Sequence, residues 1–183
     1  MPPPQQDRQN RRLLSVSQHI LQANGCEEQQ QSVVVAITGC TSGLGLQLCL
    51  EFMQKGYRVA GCGRREEQVR KLNEAHGPSG SKFFTVDVSD SDSVKAWCEN
   101  VHREFGRVDV LIANAGKGGA GELPWDVSIE HFGQVLDVNV KGVFYCCKHF
   151  IPLMLDDLVA NPERQITKRV INMSSGVGHS TSP

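Results

Sequence analysis

Residues Val33 to Gly45 read VVVAITGCTSGLG, and no other stretch restricts the possible folds of the chain as strongly. β-Branched and small apolar residues run into Gly39, Gly43 and Gly45, and an apolar helical pattern follows. The order is strand, tight turn, helix. A helix that begins at such a turn presents unpaired backbone N–H groups and the positive end of its dipole above the sheet, which suits a phosphate. Gly39 supplies the sharp turn, Gly43 lets the backbone approach a pyrophosphate, and Gly45 lets the helix pack closely on the strand. Three glycines alone would also fit an ordinary loop, so the flanking segments decide.

Downstream, Leu44, Leu48 and Phe52 line one face of a helix from about Leu44 to Lys55, with Gly56 as its C-cap. A second strand, Arg58 to Cys62, leads into Gly63-Arg64-Arg65. At this place in a dinucleotide fold a carboxylate would bond the ribose, whereas arginine pairs with the extra phosphate of NADP. NADP is therefore the expected cofactor, ahead of NAD. The other reading of the two arginines is a solvated helix start, because Glu66 and Glu67 follow. A helix from Glu66 to His76 stops at Gly77-Pro78, and a third strand from Lys82 to Val88 carries Asp87 at its end. That carboxylate either accepts from an adenine amino group or, with Ser89 or Asp90, caps the next helix. Val94, Trp97, Val101 and Phe105 mark that helix, which ends at Gly106. Val108 to Ala113 forms a fourth strand and runs into Asn114-Ala115-Gly116, small residues that leave a crevice open where the strand order reverses. A long helix from about Ser128 to Leu158 follows, and Arg169 to Met173 forms a fifth strand that delivers Ser174-Ser175. The expected fold is α/β, a three-layer, doubly wound parallel sheet in the order 3-2-1-4-5.

With 183 residues and 39% hydrophobic side chains, one globular domain is expected over residues 32–183. Met1 to Gln31, rich in proline and glutamine, reads as a disordered leader. Arg8, Arg11 and Arg12 before Leu13, Leu14, Ile20 and Leu21 leave an organelle-targeting peptide as the other reading. The net charge of −1 and the lack of a basic cluster argue against nucleic acid as a partner. Seven cysteines at positions 26, 40, 49, 62, 98, 146 and 147 form no C-x-x-C pair and read as reduced core thiols. No apolar run reaches the roughly 20 residues of a membrane helix. A cytoplasmic protein is expected.

In combination, Thr38-Gly39-x-x-x-Gly43-x-Gly45, Asp87, Asn114-Ala115-Gly116, Asn139 and Ser174-Ser175 resemble the short-chain dehydrogenase/reductase family, from about Val33 to the C-terminus. The resemblance implies a Rossmann oxidoreductase that moves hydride between a nicotinamide and a small-molecule carbonyl or secondary alcohol. It implies that Thr38, Thr41, Ser42 and Leu44 join the three glycines at the cofactor, with Arg64, Arg65, Asp87 and Val88 at its adenosine end. Asn114, Ala115 and Gly116 resemble the family's sheet-stabilising segment, although Ala113 stands where another asparagine is common. Asn139 resembles the asparagine that holds a proton-relay water; it interrupts the series Phe132, Val135, Val138 and Val143, which predicts a buried polar role. Ser175 resembles the substrate-orienting serine. No metal is implied. A homo-oligomer is implied, paired through the long helix, where Phe144, Phe150 and Leu153 exceed one core-facing stripe.

The family's proton donor is the tyrosine of a Tyr-x-x-x-Lys on the next helix. This sequence has only Tyr57 and Tyr145, and Lys148 follows Tyr145 at a spacing one residue short, on the preceding helix. The matching tyrosine would fall beyond Pro183. The expectation is an incomplete copy of an oxidoreductase, with later strands missing and no activity of its own. The alternative is a short NADP-binding sensor or partner module. A fifth strand left as an open edge argues for the first. A methyltransferase on a similar sheet is disfavoured by Arg64-Arg65, because such sites favour an acidic residue at the ribose.

Overall fold

A computed structural model of the chain describes residues 33–118, 123, 125–164 and 167–174. The expected leader and Ser175 lie outside the described residues. Strand β1 (Val34–Thr38) is buried along its whole length, as its run of β-branched residues requires of a central parallel strand. Helix α1 (Gly43–Gln54) follows the glycine turn and buries Leu48, Cys49 and Phe52. It stops at Gly56, whose φ of +82° is open to glycine and whose N–H bonds the Met53 carbonyl. Strand β2 (Arg58–Gly63) and helix α2 (Glu66–His76) come next. Two glutamates in the first turn of α2 and a histidine in its last complement the helix dipole.

Strand β3 (Lys82–Thr85) is shorter than the expected Lys82 to Val88. Its partner β2 ends at Gly63, opposite Thr85, and the last bond runs from the Val86 N–H to the Gly63 carbonyl. Beyond that bond Asp87 and Val88 have no strand beside them and cross into the next helix. Helix α3 (Ser91–Phe105) begins at Asp90, which accepts from the Asp92 N–H at 3.0 Å, and buries Val94, Trp97, Val101 and Phe105. Strand β4 (Val110–Ala113) leads to helix α4 (Ile129–Leu136), capped by Ser128. A π-helical turn (Asp137–Lys141) joins α4 to α5 (Gly142–Ala160), and β5 (Arg169–Asn172) closes the described part.

The five strands are parallel, in the order β3-β2-β1-β4-β5. Alternate residues feed two cores. Val35, Ile37, Val59 and Ile112 pack with α1 and α2, whereas Val34, Ala36, Ala60 and Leu111 pack with α3 and α5. Trp97 of α3 meets Phe150 of α5 at 4.6 Å between ring centres. Phe150 is fully buried, so it belongs to this core and not to an outer pairing face as the sequence led us to expect. Among the described residues no helix is long and apolar enough to cross a membrane.

The base of the sheet is held by charge. Asp109 is buried and accepts from the Val34 N–H at 2.8 Å, from Arg107 Nε at 3.0 Å and from Lys168 Nζ at 2.7 Å. Lys168 also donates to the Val108 carbonyl and to Asp157 of α5. One ammonium thus ties the start of β5 to β4 and to the helix above it.

Candidate cofactor cleft

The C-terminal ends of the strands open into a cleft of about 650 Å³. This is where an open parallel sheet binds ligands, at the point where strand order reverses. Gly39 and Gly43 have φ of +70° and +56°, left-handed values that side chains resist. A Cβ on Gly39 would lie 2.9 Å from Ala115 Cα, and one on Gly45 would lie 2.2 Å from the Gly39 carbonyl oxygen. Gly43 meets nothing within 4 Å. Its missing side chain leaves a space in front of α1, where the first N–H groups of the helix have no acceptor in the helix itself. Ser42 sits at the N-cap and its carbonyl accepts from the Leu46 N–H at 3.3 Å, but its hydroxyl makes no cap bond, so the first-turn donors stay free of it. The cradle fits a pyrophosphate in shape and in charge.

At the other end of the cleft Arg64 and Arg65 line the wall beside Thr41 and Ser42. Arg65 Nη2 donates to Ser42 Oγ at 3.3 Å, bridging the end of β2 to the glycine turn. Gly63 makes this approach possible, since a Cβ there would lie 2.5 Å from the Thr41 methyl. Among the described residues neither arginine forms an ion pair within contact distance. Two guanidiniums at the rim are therefore open to an anion. Asp87 lies within reach of the Arg64 charge, and its Oδ1 accepts from the Ser89 N–H at 2.9 Å and from Ser89 Oγ at 2.6 Å. Burial pushes this carboxyl up, but the Ser89 bonds and the Arg64 charge outweigh it and hold it below the ordinary carboxylate range. Asp87 is thus ionised, with part of its acceptor capacity taken by Ser89, while Asp90 caps α3.

On the side of the reversal, Leu44, Val88, Asn114, Ala115 and Gly116 border the cleft. Thr38 lies below it, buried, and its hydroxyl accepts from the N–H groups of Asn114 at 2.9 Å and Ala115 at 2.8 Å. The Asn114 amide returns a bond to the Thr38 carbonyl at 2.9 Å. These three bonds lock the ends of β1 and β4 together where the crevice opens.

Asn139 is exposed, not buried as its place in an apolar series predicted. It lies in the π turn, and its amide meets Lys117 twice, accepting from the N–H at 2.8 Å and donating to the carbonyl at 3.0 Å. It fixes the strand of loop that leaves Gly116. The π turn itself had no signal in the apolar spacing. It places Gly142 against Val88, where a Cβ would lie 3.1 Å from the valine side chain. Val86, Cys62 and Val138 also line the cleft and were missed, because apolar residues at a strand end, as Val86 and Cys62, or in a helical series, as Val138 of the π turn, read as core from sequence alone. The structure therefore brings most of the expected residues to one cleft, but Gly43 and Asp87 are not among its lining residues, Thr38 lies beneath it, Asn139 lies beyond Gly116, and Ser175 is outside the described residues.

Comparisons with known proteins agree with this geometry. A family model described as short chain dehydrogenase matches residues 33–183. An NADPH-dependent pterin aldehyde reductase of Arabidopsis thaliana is 38% identical over 147 residues, covering 80% of this chain and 57% of that protein. The fold is similar to a 3-ketoacyl-(acyl-carrier-protein) reductase of Brucella melitensis complexed with NADH, with a TM-score of 0.75 at 26% identity over 82% of this chain and 60% of that one. It is also similar to the F189W actinorhodin polyketide ketoreductase with NADPH, with a TM-score of 0.72 at 30% identity over 84% and 57%. The chain spans 57% of the length of the pterin aldehyde reductase it matches.

Proposed function

The chain belongs to the short chain dehydrogenase family, and we propose that it is the cofactor-binding part of an NADP-dependent oxidoreductase acting on a carbonyl or secondary alcohol. The observation that carries the reading is the pair of arginines at one end of a glycine-lined cleft, neither of which forms an ion pair within contact distance among the described residues. The nicotinamide, when bound, supplies or accepts the hydride. The first turn of α1 holds the pyrophosphate, and Arg64 and Arg65 hold the 2′-phosphate with Ser42 beside them. Asp87 accepts from the adenine amino group through the oxygen that Ser89 leaves free. Asn139 holds the loop after Gly116 and keeps the proton path in register, and Ser175 orients the substrate oxygen. The aldehyde named for the Arabidopsis relative supports a carbonyl substrate.

The proton donor is neither tyrosine of this sequence. Tyr57 is buried beside Phe52, and Tyr145 packs against the core under α5. A chain of these 183 residues alone is expected to give no measurable carbonyl reduction. A homo-oligomer paired along α4 and α5 completes the reading.

The test is a titration of NADPH and NADH against the chain and its Arg64→Ala and Arg65→Ala variants. Loss of a charge-assisted bond worth about 1.5–3 kcal/mol should weaken NADPH binding by roughly 10- to 150-fold, with NADH little changed. Equal losses for both cofactors, or an initial preference for NADH, would refute the assignment.

A further inference from the structure

The ends of β2 and β3 bring a carboxylate and a guanidinium together without pairing them. The last bond between these chain segments runs from the Val86 N–H to the Gly63 carbonyl at 3.0 Å. Asp87 and Arg64 are the next residues along, so both leave the sheet at the same place. A guanidinium ordinarily takes a neighbouring carboxylate as its partner. Among the described residues, however, Asp87 forms no ion pair with Arg64 or with any other cation.

Asp87 is held instead by its own turn. Its N–H donates to Ser93 Oγ in the first turn of α3 at 3.2 Å, and its carbonyl accepts from the Asp90 N–H at 3.2 Å. Its Oδ1 accepts from the Ser89 N–H at 2.9 Å and from Ser89 Oγ at 2.6 Å. The first two bonds fix where the residue stands, and the Ser89 bonds fix where its carboxylate points. An O–H to carboxylate bond of this length is of the strong, charge-assisted kind. Burial raises the pKa of this carboxyl, and of the effects that bring it down each Ser89 bond is larger than the Arg64 charge. Ser89 therefore has the stronger hold on the carboxylate.

We propose that Ser89 is a positioning residue that sets cofactor selectivity: its hydroxyl holds the Asp87 carboxylate back from Arg64 and so keeps that guanidinium open for the 2′-phosphate of NADP. The ligand rests on the cofactor reading above, whereas the restraint rests on the turn alone. Without the hydroxyl, Asp87 is free to pair with Arg64, and an incoming phosphate must displace it. An exposed ion pair of that kind changes binding by a few-fold at most. NADH has no 2′-phosphate and meets no such competition. The effect therefore falls on the ratio of the two cofactors, which a general loosening of the turn would leave alone.

NADPH and NADH are titrated against the full chain, its Ser89→Ala and Ser89→Thr variants, and the double variant Ser89→Ala with Asp87→Asn. Arg64 is followed separately, without cofactor, by its rate of modification with phenylglyoxal, mapped by mass spectrometry. Ser89→Ala keeps the main-chain bond to Oδ1, and is expected to lower the NADPH-to-NADH affinity ratio roughly two- to fivefold and to slow the reaction of Arg64. Ser89→Thr retains the hydroxyl and keeps both values. Adding Asp87→Asn to Ser89→Ala restores both, because a neutral amide does not hold a guanidinium as a carboxylate does. Equal losses of the two cofactors with an unchanged Arg64 rate would reveal a merely structural role and overturn the proposal, as would a fall in the ratio that Asp87→Asn fails to reverse. In a chain with no preference for NADPH, a slower Arg64 reaction that Asp87→Asn reverses supports the restraint and counts against the cofactor reading, whereas an unchanged rate overturns the restraint.

Discussion

Gly45 and Gly43 lie two residues apart and fail for different reasons when a methyl group is added. At Gly45 the Cβ would lie 2.2 Å from the Gly39 oxygen and 2.5 Å from Asn114 Nδ2, so Gly45→Ala must separate α1 from β1. It is expected to cost about 1–3 kcal/mol, read as a lower urea midpoint. At Gly43 the space is open and only the left-handed backbone resists, at about 1–2 kcal/mol, but the methyl enters the cradle. Gly43→Ala should therefore lose more in NADPH affinity than in stability, and Gly45→Ala should lose in both. His149 gives a second residue-level test. Its Nε2 lies 3.2 Å from Ser91 Oγ, and burial first, then Lys148 and Lys95, lower its pKa against the smaller opposing pull of Asp92 and Glu99. A base with a lowered folded pKa takes up its proton more readily when unfolded. Its stabilising share is complete above the unfolded value of about 6.5 and is lost as pH falls below it. Melting temperature should drop between pH 7.5 and 5.5, and His149→Asn should flatten that slope. At this scale the glycines were legible because each has a steric reason in the chain itself. The exposure of Asn139 was not, since it depends on what packs over the π turn.

Strand β5 is the least covered element of the sheet, with Val170 39% exposed on the side of α5 and Ile171 turned toward the opposite core. Its attachment depends on its bonds to β4 and on Lys168, which reaches Asp109 and Asp157 from the residue before the strand. Replacing that ammonium leaves Asp109 buried with only Arg107 opposite it. Lys168→Met is expected to cost about 3–5 kcal/mol, the usual loss when one partner of a buried pair is removed. Hydrogen exchange should locate the damage, with Arg169 to Asn172 opening before β1 and β2. Uniform loss of protection across the sheet would show that the network holds the whole fold rather than its edge. The helices were legible in sequence because their ends are written in it: Asp90 and Gly106 bound α3, and Gly56 follows α1. The end of β3 was not, because pairing stops where β2 turns away, and that is a property of the neighbour. Nor was the network at the base, whose members lie 59 residues apart at Asp109 and Lys168.

At the scale of the whole molecule, a surface among the described residues does not suit isolation in water. Ile129, Phe132, Leu136, Val140 and Phe144 follow one another at helical spacing along α4, the π turn and α5, and each is exposed, Phe132 by 57% and Phe144 by 60%. Leu155 and Val159 are exposed further along α5. A contiguous apolar stripe of this kind marks an interaction site. Of the three residues that the sequence set outside the core-facing stripe, Phe144 is exposed on this surface, whereas Phe150 and Leu153 pack inward. Helical periodicity alone gives an apolar face its width, and the core decides which part of it remains outside. Pairing of two copies about a twofold axis would set the stripe against itself, as an isologous contact requires. Light scattering at micromolar concentration should then give a multiple of the 20.1 kDa chain mass. Phe132→Glu with Phe144→Glu sets like charges against each other across such an axis without touching the core, so the variant should become a monomer and keep its NADPH affinity. A chain that is monomeric before the substitution would exclude self-pairing, and loss of NADPH binding along with the oligomer would mean that the cleft depends on the partner copy.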